Sequence, residues 1–127
     1  MRALLASLVA SLLLCASVAA EGADLALTGL DPTLLVEGEE VHGSEALTVE
    51  FQGFAYRFVS AENRARFEAD PERYAFQWKG SCAAMPRARA RGELFAVHDG
   101  KVFGFGSPGC REEFLAEPSR FLFDHPV

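Results

Sequence analysis

One internal repeat constrains this chain more than any other feature. At an offset of 47 residues, as between Gly53 and Gly100, eight positions recur without change. Gly53, Phe58, Ser60, Arg64, Phe67, Ala69, Pro71 and Arg73 return as Gly100, Phe105, Ser107, Arg111, Phe114, Ala116, Pro118 and Arg120. Conservative pairs join them: Tyr56 with Phe103, Asp70 with Glu117, and Tyr74 with Phe121. Two copies are too few for a solenoid, so the repeat predicts one pseudo-symmetric domain.

Each copy reads as a hairpin followed by a helix. Leu47, Val49 and Phe51 alternate with Thr48 and Glu50, and after Gln52-Gly53 the alternation resumes with Phe54, Tyr56 and Phe58. A period of two broken by a glycine turn is a half-buried hairpin. Ser60 then caps a helix with Glu62 in its first turn, and Pro71 limits its length. In the second copy Asp99-Gly100 is the hairpin turn between 94–98 and 101–105, and Ser107-Pro108 opens the helix. Cys110 falls near its third residue, with Phe114 one turn on. Apolar groups on both faces of this hairpin (Phe95, Val97, Val102, Phe103, Phe105) suit the more central position. The predicted class is α+β, a small single domain of two ββα units.

The first twenty residues are a different object. Met1 and Arg2 precede an uncharged apolar run over 3–20, and Val18 and Ala20 suit the small positions of a signal-peptidase site. Cleavage after Ala20 takes the 127 residues at formal charge −6 to 107 residues at −7, because only Arg2 is lost among charged groups. A retained anchor needs roughly 20 apolar residues, for which this run is marginal, and it ends in small residues. A lipoprotein would be acylated at Cys15, but Leu14 before it is bulky. The expectation is an exported protein, periplasmic or secreted, with no membrane association once the signal is removed. Residues 21–40 form a lead-in, and 41–123 form the domain, with repeat units at about 45–75 and 93–122.

Half of the chain is hydrophobic and 24% charged, which excludes a disordered chain. The acidic balance excludes a nucleic-acid partner, since phosphate contacts need clustered Lys and Arg. Of three cysteines, Cys15 leaves with the signal, so the mature chain keeps an even pair, Cys82 and Cys110.

These residues resemble a YHS domain, a module related to the TRASH-type metal-binding fingers. The resemblance covers about 29–123. It runs through Gly29-Leu30-Asp31-Pro32, Gly38, Val41, Gly43-Ser44, Gly53, Tyr56, Phe58, Ser60, Asn63, Phe67, Pro71, Tyr74, Gln77, Gly80 and Cys82-Ala83. The stretch S-A-E-N-R-A-R-F-E-A-D-P-E-R-Y is close to exported bacterial YHS proteins. Metal-binding relatives carry a Cys pair ahead of the hairpin and a C-x-x-x-C pair where the second strand enters the helix. Here the latter places hold Val59 and Asn63 in the first copy, and Gly106 and Cys110 in the second. Ahead of the second hairpin Lys79 and Cys82 take the C-x-x-C spacing. One cysteine of each pair remains, which excludes a four-cysteine zinc site.

The resemblance implies that Cys82 and Cys110 sit where ligands of one metal converge. Three readings follow. A disulfide would close a loop of 29 residues, worth about 3.5 kcal/mol in the chain-entropy picture, and export favours oxidation. A soft-metal site would use both thiolates with Met85 or His98, suiting Cu(I), or Zn with a weaker set. A thiol oxidoreductase would use Cys110, at a helix N-terminus that stabilises a thiolate, as nucleophile and Cys82 as resolving thiol.

Catalytic signatures are otherwise poor. His42, His98 and His125 are scattered, and H-E-x-x-H and G-x-S-x-G are absent. His98 and Asp99, adjacent in a strand, would point oppositely, which argues against a dyad. Glu37, Glu39 and Glu40 read as a solvated loop, Arg87, Arg89 and Arg91 as a solvated linker. Trp78 beside Gly80 is a candidate pocket wall. The expectation is a non-catalytic binding or accessory module, its partner a protein or a metal ion, copper or zinc.

Overall fold

The computed structural model describes residues 22–122. The segment expected to be a signal, with Cys15, and His125 near the other end lie outside the described residues. Strand β1 (Asp24–Leu25) and a 3-10 turn (Ala26–Gly29) lead to the one-turn helix α1 (Pro32–Leu35). Hairpin strands β2 (Ser44–Phe51) and β3 (Phe54–Phe58) precede helices α2 (Ala61–Ala69) and α3 (Pro71–Tyr74). A second 3-10 turn (Trp78–Gly80) leads to β4 (Arg91–His98), β5 (Lys101–Phe105) and α4 (Pro108–Ala116). The result is a small α+β domain with two small sheets. One has strand order β1-β3-β2 with β1 parallel to β3, and the other pairs β4 with β5.

Both hairpins follow from their turns. Gln52 and Gly53 take φ of 50° and 82°, Asp99 and Gly100 of 50° and 70°. Two successive left-handed residues make the tight turn whose twist matches that of paired strands, with glycine at the second place. Each hairpin then breaks register once, between Ser44 and Thr48 in the first and between Arg91 and Phe95 in the second. The two breaks fall at the same offset as the repeat.

Ser60 accepts from the Asn63 amide at 3.1 Å and Ser107 from the Cys110 amide at 3.2 Å, each satisfying a helix-start donor. Pro71 ends α2 as expected and also opens α3, for its fixed φ is already helical where no N–H donor is needed. α1 and α3 were not anticipated, being too short for periodicity to show.

Each helix presses one phenylalanine into its hairpin. Phe67 meets Phe58 at 5.1 Å and 58°, Tyr56 at 5.0 Å and 38°, and Phe51 at 6.0 Å and 87°. Phe114 meets Phe105 at 5.2 Å and 58°, Phe103 at 5.2 Å and 38°, and His98 at 6.0 Å and 87°. Offset and edge-on ring pairs such as these add to the burial of apolar area. Two buried clusters result, one around Phe67 and one around Phe114. β5 is buried on both faces, as its composition suggested, although its sheet has only two strands.

Two buried polar groups fix the first half. Asp31 and Thr33 are both fully buried. Asp31 Oδ1 accepts from Thr33 N at 2.9 Å and Thr33 Oγ1 at 2.7 Å, and Oδ2 from Val59 N at 2.9 Å and Asn63 Nδ2 at 3.0 Å. Tyr56 accepts the Phe76 N–H at 3.0 Å through its hydroxyl, and burial pushes the ionisation of that hydroxyl well above the ordinary phenol range. Tyr56→Phe strands a buried amide, so we expect a loss of about 1–2 kcal/mol in urea unfolding at neutral pH. A folded-state pKa that is raised contributes stability below the unfolded value of about 10 and loses it as pH climbs through the folded one. The variant should therefore differ least from wild type in strong alkali.

Candidate functional site

Cys82 is held by backbone. The turn before it carries Trp78 and Lys79 at φ of 54° and 55°, unusual for residues with side chains. The chain then runs beside β5: Cys82 donates its N–H to Ala88 O, and Ala83 to Gly104 O, both at 2.8 Å. Cys82 bridges Gly104 in parallel register and is fully buried. A Cβ on Gly104 would collide with Ala90 and Phe76, so glycine there lets those two side chains close against β5.

Cys110 lies in the first turn of α4, half-buried, in the cluster that contains Cys82, Phe103, Phe105 and Phe114. Gly106 stands beside them, its Cβ position 3.8 Å from that of Cys82. Both cysteines are free thiols in the structure. One apolar cluster thus contains a thiol shielded from water and a second at its half-buried edge.

Met85 donates its N–H to Cys82 O at 3.2 Å, but its side chain is 55% exposed. His98 pairs with Lys101 at the turn end of the hairpin, whereas Cys82 lies beside Gly104, three residues along β5 and about 10 Å away by strand rise. His98 meets the cluster edge-on at the Phe114 ring. Among the described residues no group of three His, Cys, Asp or Glu is placed to hold a metal ion.

Other candidates separate. His98 Nε2 lies 3.4 Å from Asp99 Oδ2, contrary to the opposed orientation expected, because Asp99 is in the left-handed turn and not in the strand. With the Asp99 side chain 87% exposed this is a surface contact. Arg89 is no solvated linker residue: it donates to Gly53 O at 3.0 Å and covers the Phe54 ring at 4.3 Å, strapping one hairpin turn to the second lead-in. Glu37, Glu39 and Glu40 are exposed, and Glu37 meets Arg66 at 3.2 Å. Trp78 does line a pocket, an open one of about 330 Å³ shared with Gln52, Glu72, Phe76, Gln77 and Lys79. Sequence reasoning gave Asp31 no role of its own, and it missed Gly104 beside Cys82. Only the Asp-Pro-Thr capping pattern could have flagged the first. Neither protein-family models, nor curated protein sequences, nor solved structures give a significant match to this chain.

Proposed function

We propose that this is an exported, non-catalytic binding module of YHS type whose working part is the Cys82/Cys110 pair, taking a soft monovalent metal ion of the Cu(I) kind. The observation that carries the reading is the presence of both thiols in one apolar cluster, Cys82 buried and Cys110 half-buried. Two thiolates suit a soft ion content with few ligands, whereas structural zinc wants four. Met85 sits close enough in the chain to swing in as a third, weaker donor, and His98 is the poorer candidate. The finer architecture belongs to the same reading: two ββα units about a pseudo-twofold axis, supported by the matched ring geometry and register breaks.

A second reading has one observation in its favour. The same shared cluster, in an exporting cell's oxidising compartment, suits a structural disulfide in an interaction domain whose partner is another protein. Thiol oxidoreductase activity is the weakest of the three, since Cys82 and Cys110 do not form a C-x-x-C motif. Among the described residues no helix is long and apolar enough to cross a membrane.

Anaerobically reduced protein titrated with Cu(I) against a competing chelator should retain one equivalent. Cys110→Ser should weaken retention about a hundredfold, the upper end of what disturbing a metal site costs. Equal retention by the variant, or none by wild type, would sink the metal reading. Intact mass of the protein isolated from its export compartment should begin at Glu21.

A further inference from the structure

The lead-ins to the two hairpins follow one path, which the amino-acid sequence hides. Leu27, Thr28 and Gly29 have φ of 60°, 52° and 88°, and Trp78, Lys79 and Gly80 have 54°, 55° and 82°. Leu30 and Ser81 close these turns in extended backbone, donating to Leu27 O at 3.0 Å and Trp78 O at 3.1 Å. The next residues, Asp31 and Cys82, donate to Val41 O and Ala88 O, both at 2.8 Å. Gly43 and Ala90 return N–H bonds to Gly29 O and Gly80 O, again both at 2.8 Å. Upstream, Leu25 pairs in parallel with Ala55, and Phe76 with Val102. The lead-ins match at an offset of 51, as between Gly29 and Gly80. The hairpins match at 47, because the loop from Asp31 to Val41 is four residues longer than that from Cys82 to Ala88.

In this alignment Asp31 answers to Cys82, Val59 to Gly106, and Asn63 to Cys110. In the first half the Asp31 carboxylate ties the lead-in to the entry of α2 through Val59 N and Asn63 Nδ2. We propose that Asp31–Asn63 and Cys82–Cys110 are one clasp in two chemistries, permanent in the first half and redox-controlled in the second. The proposal rests on the reading that the two cysteines act as a pair, and it adds what that pair regulates: the attachment of α4.

Two thiols make at best a weak hydrogen bond, so the dithiol clasp is loose. Closure is a two-electron oxidation by a low-molecular-weight disulfide. The Cys110 thiolate, at the rim, attacks one sulfur of that disulfide and expels the other half as thiolate, leaving a mixed disulfide on Cys110. The Cys82 thiolate then attacks the Cys110 sulfur and expels the second half. The protein gives up two electrons and two protons, and the oxidant leaves as two thiols.

Hydrogen exchange of the full exported chain, followed by mass spectrometry, tests this. After treatment with oxidised glutathione the wild type should lose the mass of two hydrogens. Exchange over residues 106–112 should slow about tenfold, while residues 59–65 are unchanged. Cys82→Asp with Cys110→Asn, which copies the first clasp, should melt above Cys82→Ala with Cys110→Ala and ignore the oxidant. A chain that does not bridge, or a bridged chain exchanging like the dithiol form, overturns the proposal. So does a copied clasp that melts no higher than the alanine pair. The wild-type arm decides alone if the copied clasp fails to fold. Copper retention enters none of these readouts, so a chain that bridges yet holds no copper removes the metal reading only.

Discussion

Asp31→Ala is expected to lower the unfolding free energy by about 4 kcal/mol, the largest effect of any single polar substitution in the domain. The carboxylate is fully buried and accepts four hydrogen bonds, from the backbone and hydroxyl of Thr33, the Val59 amide and the Asn63 side chain. Four donors stand in for the water that a buried charge loses, so the group is satisfied where it sits. Alanine leaves those donors facing a gap, and each buried donor without an acceptor costs about 1–3 kcal/mol before relaxation. Loss of the α1 cap adds about 1 kcal/mol. Asp31→Asn should cost roughly half as much, because one oxygen still accepts while the new amide opposes the Val59 and Asn63 donors. Urea unfolding followed by circular dichroism reads both. A loss under about 1 kcal/mol for the alanine variant would mean that the carboxylate is not what joins the lead-in to α2.

Phe67→Ala and Phe114→Ala should each cost about 3–5 kcal/mol, and by similar amounts. Both rings are fully buried and each touches four other rings. Removing either leaves a cavity that rings packed on all sides cannot collapse into. Since small domains rest on about 5–15 kcal/mol, each variant loses a large share of its stability. Phe114→Ala has a second consequence: it loosens the cluster that buries Cys82, whose alkylation by a small maleimide should accelerate while the same reaction in Phe67→Ala lags behind. A Phe114 variant as stable as wild type would show that the second cluster is loosely packed.

The hairpins, their turns, the helix caps and both anchoring phenylalanines were legible in the sequence because each has a local cause. Glycine at the second turn position, serine at the helix start and period-two alternation act within a few residues. The lead-ins were not legible, and for a physical reason. Leu27-Thr28-Gly29 and Trp78-Lys79-Gly80 share a left-handed backbone but only the glycine, and Leu and Trp are residues that sequence rules do not place there. The change in offset then removes them from any fixed-spacing comparison. The partnership of Asp31 with Val59 and Asn63 is equally silent, for it depends on two segments about 30 residues apart being brought together. At Cys82 and Cys110 the residue types were visible, while their common cluster came to notice only through the resemblance. The Arg89 strap was misread because a half-exposed arginine in a charged run looks the same whether it is solvated or stacked.

Gly92 has no side chain because a Cβ there would run into the carbonyl of Leu25, so β4 lies backbone-to-backbone against the first lead-in. The two ring clusters are thus not separate bodies joined by a tether. A strand of one half forms the wall on which the other half's first turn is laid, and neither surface is complete alone. Melting should accordingly be all-or-none across both halves: injury to either aromatic centre displaces a single shared transition, and half a chain cut at the middle would expose the seam that the whole chain conceals.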